Sequence, residues 1–292
     1  MERVVRKLGS ILYTTYLFNQ YDIMSTISPV IVVGSVLAGI PDAESFFHGV
    51  IWQELHLIAF EIQNQITGIE EDKLSKPTRP LVSGRVTVQT AQRIYLALIV
   101  LSLWNSASQG VLAPSILHLI SMFAYNELGF SRYWALKSFI GSMGYVCYCW
   151  GMTVIFDHGR PLSRTSLIAV VLSGLIFTTT GHAQDFRDRK GDAAIGRKTL
   201  AIILPQTFAR WSLMALMFGW SAGLIYLWGP PAVVSVFFFG LAVYTSVNFV
   251  RDYSEEADRV SYWWYNIWLI VAHMLPLFTR LTESRVRIEI SL

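Results

Sequence analysis

Residues 165–184 read TSLIAVVLSGLIFTTTGHAQ, and the acidic segment DFRDRKGD follows them directly at residues 185–192. The first stretch is apolar and, at about 20 residues, is long enough to cross a bilayer as a helix. The second stretch places Asp185, Asp188 and Asp192 at D-x-x-D-x-x-x-D spacing. On a continuous helix, these carboxylates would fall within roughly a 60° arc of one face. The sequence therefore predicts a carboxylate cluster at the end of a transmembrane helix.

This carboxylate cluster requires a cation, because three anions on one face repel one another and lose hydration near a bilayer. The segment 185–192 contains hard oxygen ligands and neither His nor Cys, a set that suits Mg²⁺. Mg²⁺ commonly binds through carboxylates together with the phosphate oxygens of a substrate. The pattern therefore points to a site for Mg²⁺ and a diphosphate inside a membrane protein.

The composition of the whole chain is typical of a polytopic membrane protein. Of its 292 residues, 53% are hydrophobic and only 15% are charged, and the mean hydropathy is +0.44. Soluble domains carry about 25% charged residues. The net charge of +3 is too small to predict a nucleic-acid partner. No feature of the sequence indicates an obligate protein partner.

Apolar stretches recur from end to end, and they predict about nine membrane-spanning helices in a single domain of residues 1–292. Residues 1–19 are expected to form a basic amphipathic lead-in, and residues 281–292 a C-terminal tail. The second span is the weakest by hydropathy because Glu54, Glu61 and Asn64 interrupt it. The predicted spans are 20–40, 49–69, 90–108, 112–128, 136–156, 165–184, 208–228, 232–250 and 262–280.

Basic residues are shared unevenly between the loops. The loops after the second, sixth and eighth spans are rich in Lys and Arg, whereas the connections 41–48, 108–114 and 229–231 contain neither. The positive-inside rule therefore places the N-terminus and the basic loops in the cytosol. The basic tail from Arg280 to Arg287 runs against this rule.

Another acidic cluster closes the second span at the same cytosolic face. It is hereafter the first cluster because it comes earlier in the chain, and the carboxylates of residues 185–192 are the second cluster. Its sequence, EIQNQITGIEED at residues 61–72, places Glu61, Asn64 and Asp72 on one side of a helix, with Glu71 beside Asp72. Basic loops follow both clusters, at residues 73–85 and 191–199. Carboxylates can hold Mg²⁺ on phosphate oxygens while cations neutralise a leaving diphosphate. Candidate diphosphate contacts are Lys76, Arg79, Arg85, Arg197 and Lys198, with Arg132 and Lys137 as weaker candidates.

The two clusters resemble the paired signatures of the UbiA superfamily of intramembrane prenyltransferases. The resemblance rests on Asn64…Asp72 with RPLVSGR at residues 79–85, and on Asp185…Asp192 with GRKTL at residues 196–200. It covers nearly the whole chain and implies a helical bundle around a central cavity, closed on the cytosolic side by short helical loops. It also implies a prenyl diphosphate substrate, a lipid environment and a location in the endoplasmic reticulum.

The first signature departs from the family pattern N-D-x-x-D-x-x-x-D, because Gln65 and Gly68 stand where two Asp are usual. The second signature is complete, so we expect it to be the principal metal anchor. A similarly eroded first signature resembles that of fungal UbiA-type terpene cyclases, which act on one prenyl diphosphate without an acceptor. This resemblance implies class I cyclisation of farnesyl diphosphate to a sesquiterpene such as β-trans-bergamotene. The implied catalytic and metal residues are Asp185, Asp188, Asp192, Asn64 and Asp72, with Glu71 as a further metal ligand.

Other functions remain open at this point. An aromatic prenyltransferase would use the same site but would need an acceptor pocket and a general base. A transporter could carry intramembrane carboxylates, although broken helices at the midplane and inverted repeats would be more typical of one. A membrane scaffold would leave both clusters unexplained. A cyclase needs a dry pocket with aromatic faces for its carbocation, and the aromatic candidates are Phe60, Tyr125, Tyr145, Phe177, Tyr262 and Trp268.

Overall fold

The computed structural model describes the backbone of residues 2–291 and the side chains of residues 4–283. In this part of the chain the structure is α-helical, apart from short 3-10 and π-helical turns and one isolated bridge. The prediction of an all-α fold is therefore confirmed. The helices are α1 (Glu2–Asn19), α2 (Ser28–Ala38), α3 (Ala43–Thr67), α4 (Ile69–Ser75), α5 (Val88–Ser108), α6 (Leu112–Asn126), α7 (Trp134–Phe156), α8 (Arg164–Thr180), α9 (Arg189–Ala194), α10 (Leu200–Ile203), α11 (Gln206–Trp228), α12 (Ala232–Arg251), α13 (Glu255–Met274) and α14 (Pro276–Ser291).

Each predicted span overlaps one main α-helix, and these helices are α2, α3, α5 to α8 and α11 to α13. By length and hydropathy alone, four helices in the described residues can cross a membrane, or five if the bent N-terminal pair is one span. α3 is not apolar enough to be counted among these helices, because polar residues such as Glu61 and Asn64 interrupt it. α5 nevertheless exposes Leu96, Val100 and Trp104, spaced by one helical turn. Such an apolar outer stripe is what a helix presents to lipid.

The first predicted span, residues 20–40, is not a single helix. α1 ends at Asn19, a π-helical turn runs Ile23–Ile27, and the chain bends by 67° between the two parts. The carbonyl of Asp22 accepts from the N–H groups of both Thr26 and Ile27. Pro29 then fits the first turn of α2, where its missing N–H is not needed. The predicted lead-in is helical from residue 2, and residue 1 lies outside the described residues.

The last predicted span, residues 262–280, has the wrong bounds. α13 begins at Glu255, because the Ser254 side chain caps it by accepting from the Ala257 N–H. It ends at Met274, and Pro276 opens α14 because proline suits a first helical turn. The predicted tail, residues 281–292, therefore continues a helix. The side chains of 284–291, and all of residue 292, lie outside the described residues.

The acidic segment 185–192 does not continue α8. That helix ends at Thr180, a 3-10 turn follows at Gly181–Ala183, and α9 begins only at Arg189. Between α8 and α9, Phe186 is fully buried in the core, and the Arg210 guanidinium lies 4.5 Å from the centre of its ring. The expectation of one continuous helix through all three carboxylates is therefore wrong. The carboxylates nevertheless face the same space, as shown below.

A cap of short helices covers one end of the bundle. α4 packs directly against α9, and a Cβ at Gly191 would come 3.3 Å from Ser75 Cβ, so the two helices meet at van der Waals distance. Behind this cap, Arg210 of α11 and Asp258 of α13 form a fully buried ion pair of 2.6 Å. Arg189 of α9 also reaches Asp258, at 3.2 Å. The cap is thus fastened to the far side of the bundle.

Candidate active site

A cavity lies beneath the cap between α3, α6, α7 and α8, and it encloses about 1360 Å³ when its open mouth is included. Charged side chains line the mouth, and apolar and aromatic side chains line the part deeper in the bundle. The mouth residues are Asp22, Glu61, Asn64, Glu71, Lys76, Arg79, Lys137, Asp185, Arg187, Asp188 and Arg197. The sequence prediction of a central cavity with a charged end is therefore confirmed.

The second acidic cluster meets two lysines from other parts of the chain. Lys137 Nζ of α7 lies 2.5 Å from Asp185 Oδ1 and 3.8 Å from Asp192 Oδ2. Lys76 Nζ, which follows α4, lies 3.9 Å from Asp188 Oδ2. Asp185 and Asp188 line the cavity, whereas Asp192 is completely buried just behind it. The structure therefore brings the three carboxylates to one place without a shared helical face.

The first acidic cluster is organised around one arginine. Arg79 NH1 lies 2.9 Å from Asp72 Oδ2, and Arg79 NH2 lies 2.9 Å from Glu61 Oε2. Only 4% of Arg79 and 1% of Asp72 is exposed, so this ion pair belongs to the interior. Asn64 and Glu71 remain at the cavity wall. The predicted ligand Asp72 therefore lies behind the mouth rather than in it.

Arg197 joins the two clusters. Its NH1 lies 2.7 Å from Glu71 Oε2 of the first cluster and 3.0 Å from Asp192 Oδ1 of the second. Because one guanidinium group contacts both, the distance between the two clusters is fixed by a single side chain. This contact brings the two clusters together at the same end of the bundle.

The structure does not bring Arg85 or Lys198 to the cavity. Arg85 is exposed and donates to Thr14 Oγ1 at 2.6 Å and to the Ser10 carbonyl at 3.2 Å, so it fastens α1 to the loop after α4. The side chain of Lys198 is also exposed, and its backbone N–H donates to the Arg132 carbonyl at 2.9 Å. Basic residues that are adjacent in a signature can therefore face opposite ways.

Two mouth residues were not predicted from the sequence. Asp22 lies at the bend before α2 and lines the cavity beside the basic residues of the cap. Arg187 stacks its guanidinium 4.1 Å above the ring of Tyr262 and lies 3.6 Å from Asp188. Arg187 lies within the acidic segment 185–192, so its position in the sequence could have identified it as a residue of the site. The indication for Asp22 was weaker, because it is only a single carboxylate at the start of an apolar span.

Residues 27–270 match the UbiA prenyltransferase family. The chain belongs to this family. It is 42% identical to the fumagillin β-trans-bergamotene synthase of Aspergillus fumigatus, over 96% of this chain and 98% of that one. It is 25% identical to the somaliensene A/B synthase of Streptomyces somaliensis, over 92% and 93%. The predicted family is therefore confirmed.

A solved structure shows the same UbiA fold. A UbiA homologue from Archaeoglobus fulgidus bound to GPP and Mg²⁺ superposes with a TM-score of 0.65. The superposition covers 90% of this chain and 99% of that one, at 13% sequence identity. At this identity the likeness concerns the fold, which confirms the helical bundle around a cavity.

The oxygen ligands at the mouth of the cavity suit an Mg²⁺ ion that is bound together with a substrate. No group of three or more His, Cys, Asp or Glu in the described residues is close enough to hold a metal by itself. Mg²⁺ is usually held by one or two carboxylates together with phosphate oxygens rather than by a complete protein cage. Several buried atoms have no hydrogen-bond partner among the described residues: Asp192 Oδ2 and the Nε atoms of Arg79, Arg187 and Arg197. The residues present therefore fit a metal and a diphosphate together.

The carboxylates of the UbiA mouth differ in their electrostatic surroundings. Burial raises the pKa of Asp185 to about 6, although the Lys137 ammonium opposes this change. Burial acts in the same direction on Asp188, but the charges of Lys76 and Arg187 outweigh it and hold the pKa of Asp188 below its usual range. Asp188 is therefore the carboxylate whose ionised form the mouth stabilises most clearly.

Aromatic rings form much of the cavity wall below the mouth. Tyr145 stacks on Phe177 with ring centroids 5.4 Å apart, and Phe60 packs 5.6 Å from Tyr125. These four and Tyr262 line the cavity, as the sequence candidates suggested. The sixth candidate does not, because Trp268 is buried in the core and donates to Ser221 Oγ at 3.0 Å.

Proposed function

We propose that this protein is a membrane-embedded class I terpene cyclase that converts farnesyl diphosphate to a sesquiterpene hydrocarbon. β-trans-Bergamotene is the first product to test. The 42% identity to a bergamotene synthase over 96% of the chain supports this proposal. The absence of two acids from the first signature, at Gln65 and Gly68, agrees with it.

The observation that carries the proposal is the division of one cavity into a charged mouth and an aromatic interior. Lys76, Arg187 and Arg197 present cationic groups at the mouth, where the oxygens of a diphosphate would lie. The rings of Tyr125, Phe177 and other aromatic residues line the interior, where their faces can stabilise a carbocation. In this proposal the aromatic walls would also keep water away from that cation, which water would otherwise quench.

The carboxylates and the cations of the mouth have different roles in the ionisation of the prenyl diphosphate. Asp185, Asp188 and Asn64 would hold Mg²⁺, which neutralises developing charge on a leaving diphosphate. Asp192 and Asp72, which are buried behind the mouth, and Glu71 at the cavity wall would support this set through Arg197 and Arg79.

The cations Lys76, Lys137, Arg187 and Arg197 would bind the diphosphate oxygens as the C–O bond of the substrate breaks. The exposed Arg85 and Lys198 have no part in this scheme. The bond's electron pair leaves with the diphosphate, and an allylic cation remains in the aromatic interior.

The proposal is tested by supplying membranes that contain the protein with farnesyl diphosphate and Mg²⁺, without an acceptor. We expect a cyclic hydrocarbon in the extract and free diphosphate in the aqueous phase, both abolished by EDTA. Geranyl and geranylgeranyl diphosphates test the chain length. The absence of any hydrocarbon from all three substrates would overturn the cyclase proposal.

The second candidate is transfer of the prenyl group to an aromatic acceptor. It is favoured by a 29% identity to the polyprenyl transferase eriF of Hericium erinaceus, over 74% of this chain and 75% of that one. The same membranes are therefore incubated with a set of phenolic acceptors. Turnover that appears only with an acceptor would establish transfer in place of cyclisation.

The basic loops give the proposed orientation. We propose that the mouth faces the cytosol and that the membrane is that of the endoplasmic reticulum, because the cap carries many of the Lys and Arg residues. Protease protection of a tag placed in the connection 41–48 tests this orientation, since the tag should be shielded in sealed microsomes.

A further inference from the structure

A polar cluster lies at the end of the cavity away from the charged mouth. His118 of α6 and Tyr148 of α7 both line the cavity, and His118 Nε2 is 3.2 Å from Tyr148 Oη. Exposure is only 3% for His118 and 4% for Tyr148. His56 of α3 packs its ring 5.4 Å from that of His118. These three residues are called the deep cluster below.

Helix geometry gives the depth of this cluster. Tyr148 follows Lys137 by 11 residues in α7, which corresponds to roughly 16 Å along the helix axis. On α6, His118 precedes the mouth-proximal Tyr125 by seven residues, or roughly 10 Å. A diphosphate held by Lys137 would therefore lie far from the deep cluster. The hydrocarbon chain of the same substrate would extend toward it.

Neighbouring side chains hold the deep cluster in place. His56 Nδ1 donates to the Trp52 carbonyl at 2.8 Å, which leaves Nε2 of the neutral ring without a proton. Nε2 has no hydrogen-bond partner among the described residues. Trp52 packs edge-on against Tyr148 at 6.0 Å and donates from Nε1 to the Ser106 and Ser115 hydroxyls, both at 3.0 Å. The Tyr148 hydroxyl therefore lies beside the imidazole of His118, and the His56 ring packs against that imidazole in turn.

The chemistry of cyclisation without an acceptor requires a base. A cyclic carbocation becomes a neutral hydrocarbon by losing one proton, and some group near the cationic carbon must accept it. Among the described residues that line the cavity, His118 is the only imidazole. A neutral imidazole is the usual biological base at ordinary pH. It also lies beside the hydrocarbon part of the substrate instead of the diphosphate.

We propose that Tyr148 and His118 accept the proton that ends the reaction, an inference that rests on the proposed cyclase function. The C–H bond next to the cationic carbon breaks, and its electron pair forms the C=C bond of the product. The proton passes to Tyr148 Oη as the hydroxyl proton of Tyr148 moves to His118 Nε2. The imidazolium loses that proton to water once the product has left, which restores both residues.

The test compares Tyr148→Phe with Tyr265→Phe, using farnesyl, geranyl and geranylgeranyl diphosphates, and measures both diphosphate release and the hydrocarbon mixture. Tyr265 is a matched control, because it is buried and its hydroxyl lies 2.8 Å from Thr180 Oγ1 outside the cavity lining. In Tyr148→Phe we expect diphosphate release to fall by at most about threefold, while the share of the parental hydrocarbon falls about tenfold or more. Isomeric alkenes or an alcohol formed by water capture should replace it. Tyr265→Phe should give the parental mixture.

His118→Gln provides an independent variant, because it keeps a polar side chain but removes the base. It should redistribute the products as Tyr148→Phe does, and diphosphate release shows that either variant is folded. Parental product ratios in both variants, or loss of diphosphate release in both, would overturn this inference alone. A parent protein that forms no hydrocarbon would overturn the cyclase proposal and this inference together.

Discussion

The two acidic clusters look alike in the sequence, but the structure uses their carboxylates differently. In the second cluster, Asp185 and Asp188 line the cavity and face the ammonium groups of Lys137 and Lys76. In the first cluster, the Arg79 guanidinium lies at the cavity wall, where it is almost fully buried and pairs with the carboxylates of Glu61 and Asp72. A lysine is a flexible point charge, whereas a guanidinium between two carboxylates is fixed in direction. The second cluster therefore keeps charge available to a ligand, and the first uses its charge to hold the fold together.

Arg79→Met should produce the largest change in stability, because it leaves Glu61 and Asp72 buried without a partner. Breaking a buried ion pair in this way costs about 3–5 kcal/mol. The thermal midpoint of the detergent-solubilised protein measures the effect. Arg85→Met is the matched control, since that arginine is exposed and should change the midpoint little. Equal midpoints for both variants would show that Arg79 has no structural role.

Asp188→Asn should lower turnover by about 10²–10³-fold, the scale seen when one group that stabilises developing charge is lost. Its thermal midpoint should stay close to that of the parent, because Asp188 lies at the cavity wall and contacts a flexible lysine. Asp157→Asn is the control, as Asp157 pairs with Arg160 in the loop between α7 and α8. Full turnover by Asp188→Asn would remove this residue from the proposed metal site.

Gln65→Asp restores one acid of the family signature, and we expect it to weaken the protein. Gln65 is completely buried, and neither the nitrogen nor the oxygen of its amide group has a hydrogen-bond partner in the part of the chain that the structure describes. A carboxylate there would be buried without a partner one helical turn from Glu61, at a cost of about 1–3 kcal/mol or more. Thermal midpoint and turnover are measured together, with Gln63→Asp at a half-buried position as control. A gain in turnover without a loss of stability would contradict the division between the two clusters.

Lys198→Met should have the smallest effect, a change in turnover of about twofold or less. Its neighbour Arg197 provides the contrast, because Arg197→Met removes a contact with both clusters and should lower turnover by about tenfold or more. The two variants remove one charge each from adjacent positions. Similar losses in both would show that the exposed lysine also reaches the substrate.

The part of the site that the sequence predicted is the part that depends on local spacing. Asp185, Asp188 and Asn64 line the cavity, and they could be selected from the sequence because polar residues at the ends of apolar spans stand out against their surroundings. The predicted register was wrong, since a continuous helix was assumed where Phe186 packs into the core. Contact with Arg210 depends on a helix further along the chain, and hydropathy contains no information about it.

Partners that are distant in the sequence were also beyond local prediction. Lys137 meets Asp185 across a separation of 48 residues, and only the packing of α7 against α8 creates that contact. The deep cluster joins residues of α3, α6 and α7 in the same way. Each of its members looks like an ordinary polar interruption of an apolar helix until the helices are assembled.

The contact of Lys137 with Asp185 has a consequence for the order of binding. A diphosphate that binds together with Mg²⁺ would pair with the Lys137 ammonium group. The Asp185 carboxylate, no longer paired with Lys137, would then bind the Mg²⁺. Each charged group would therefore still have a partner of opposite charge. If the diphosphate or the Mg²⁺ bound alone, either the Asp185 carboxylate or the Lys137 ammonium would be left without a partner. We therefore expect metal and diphosphate to be reciprocally coupled, each increasing the affinity for the other by the same factor.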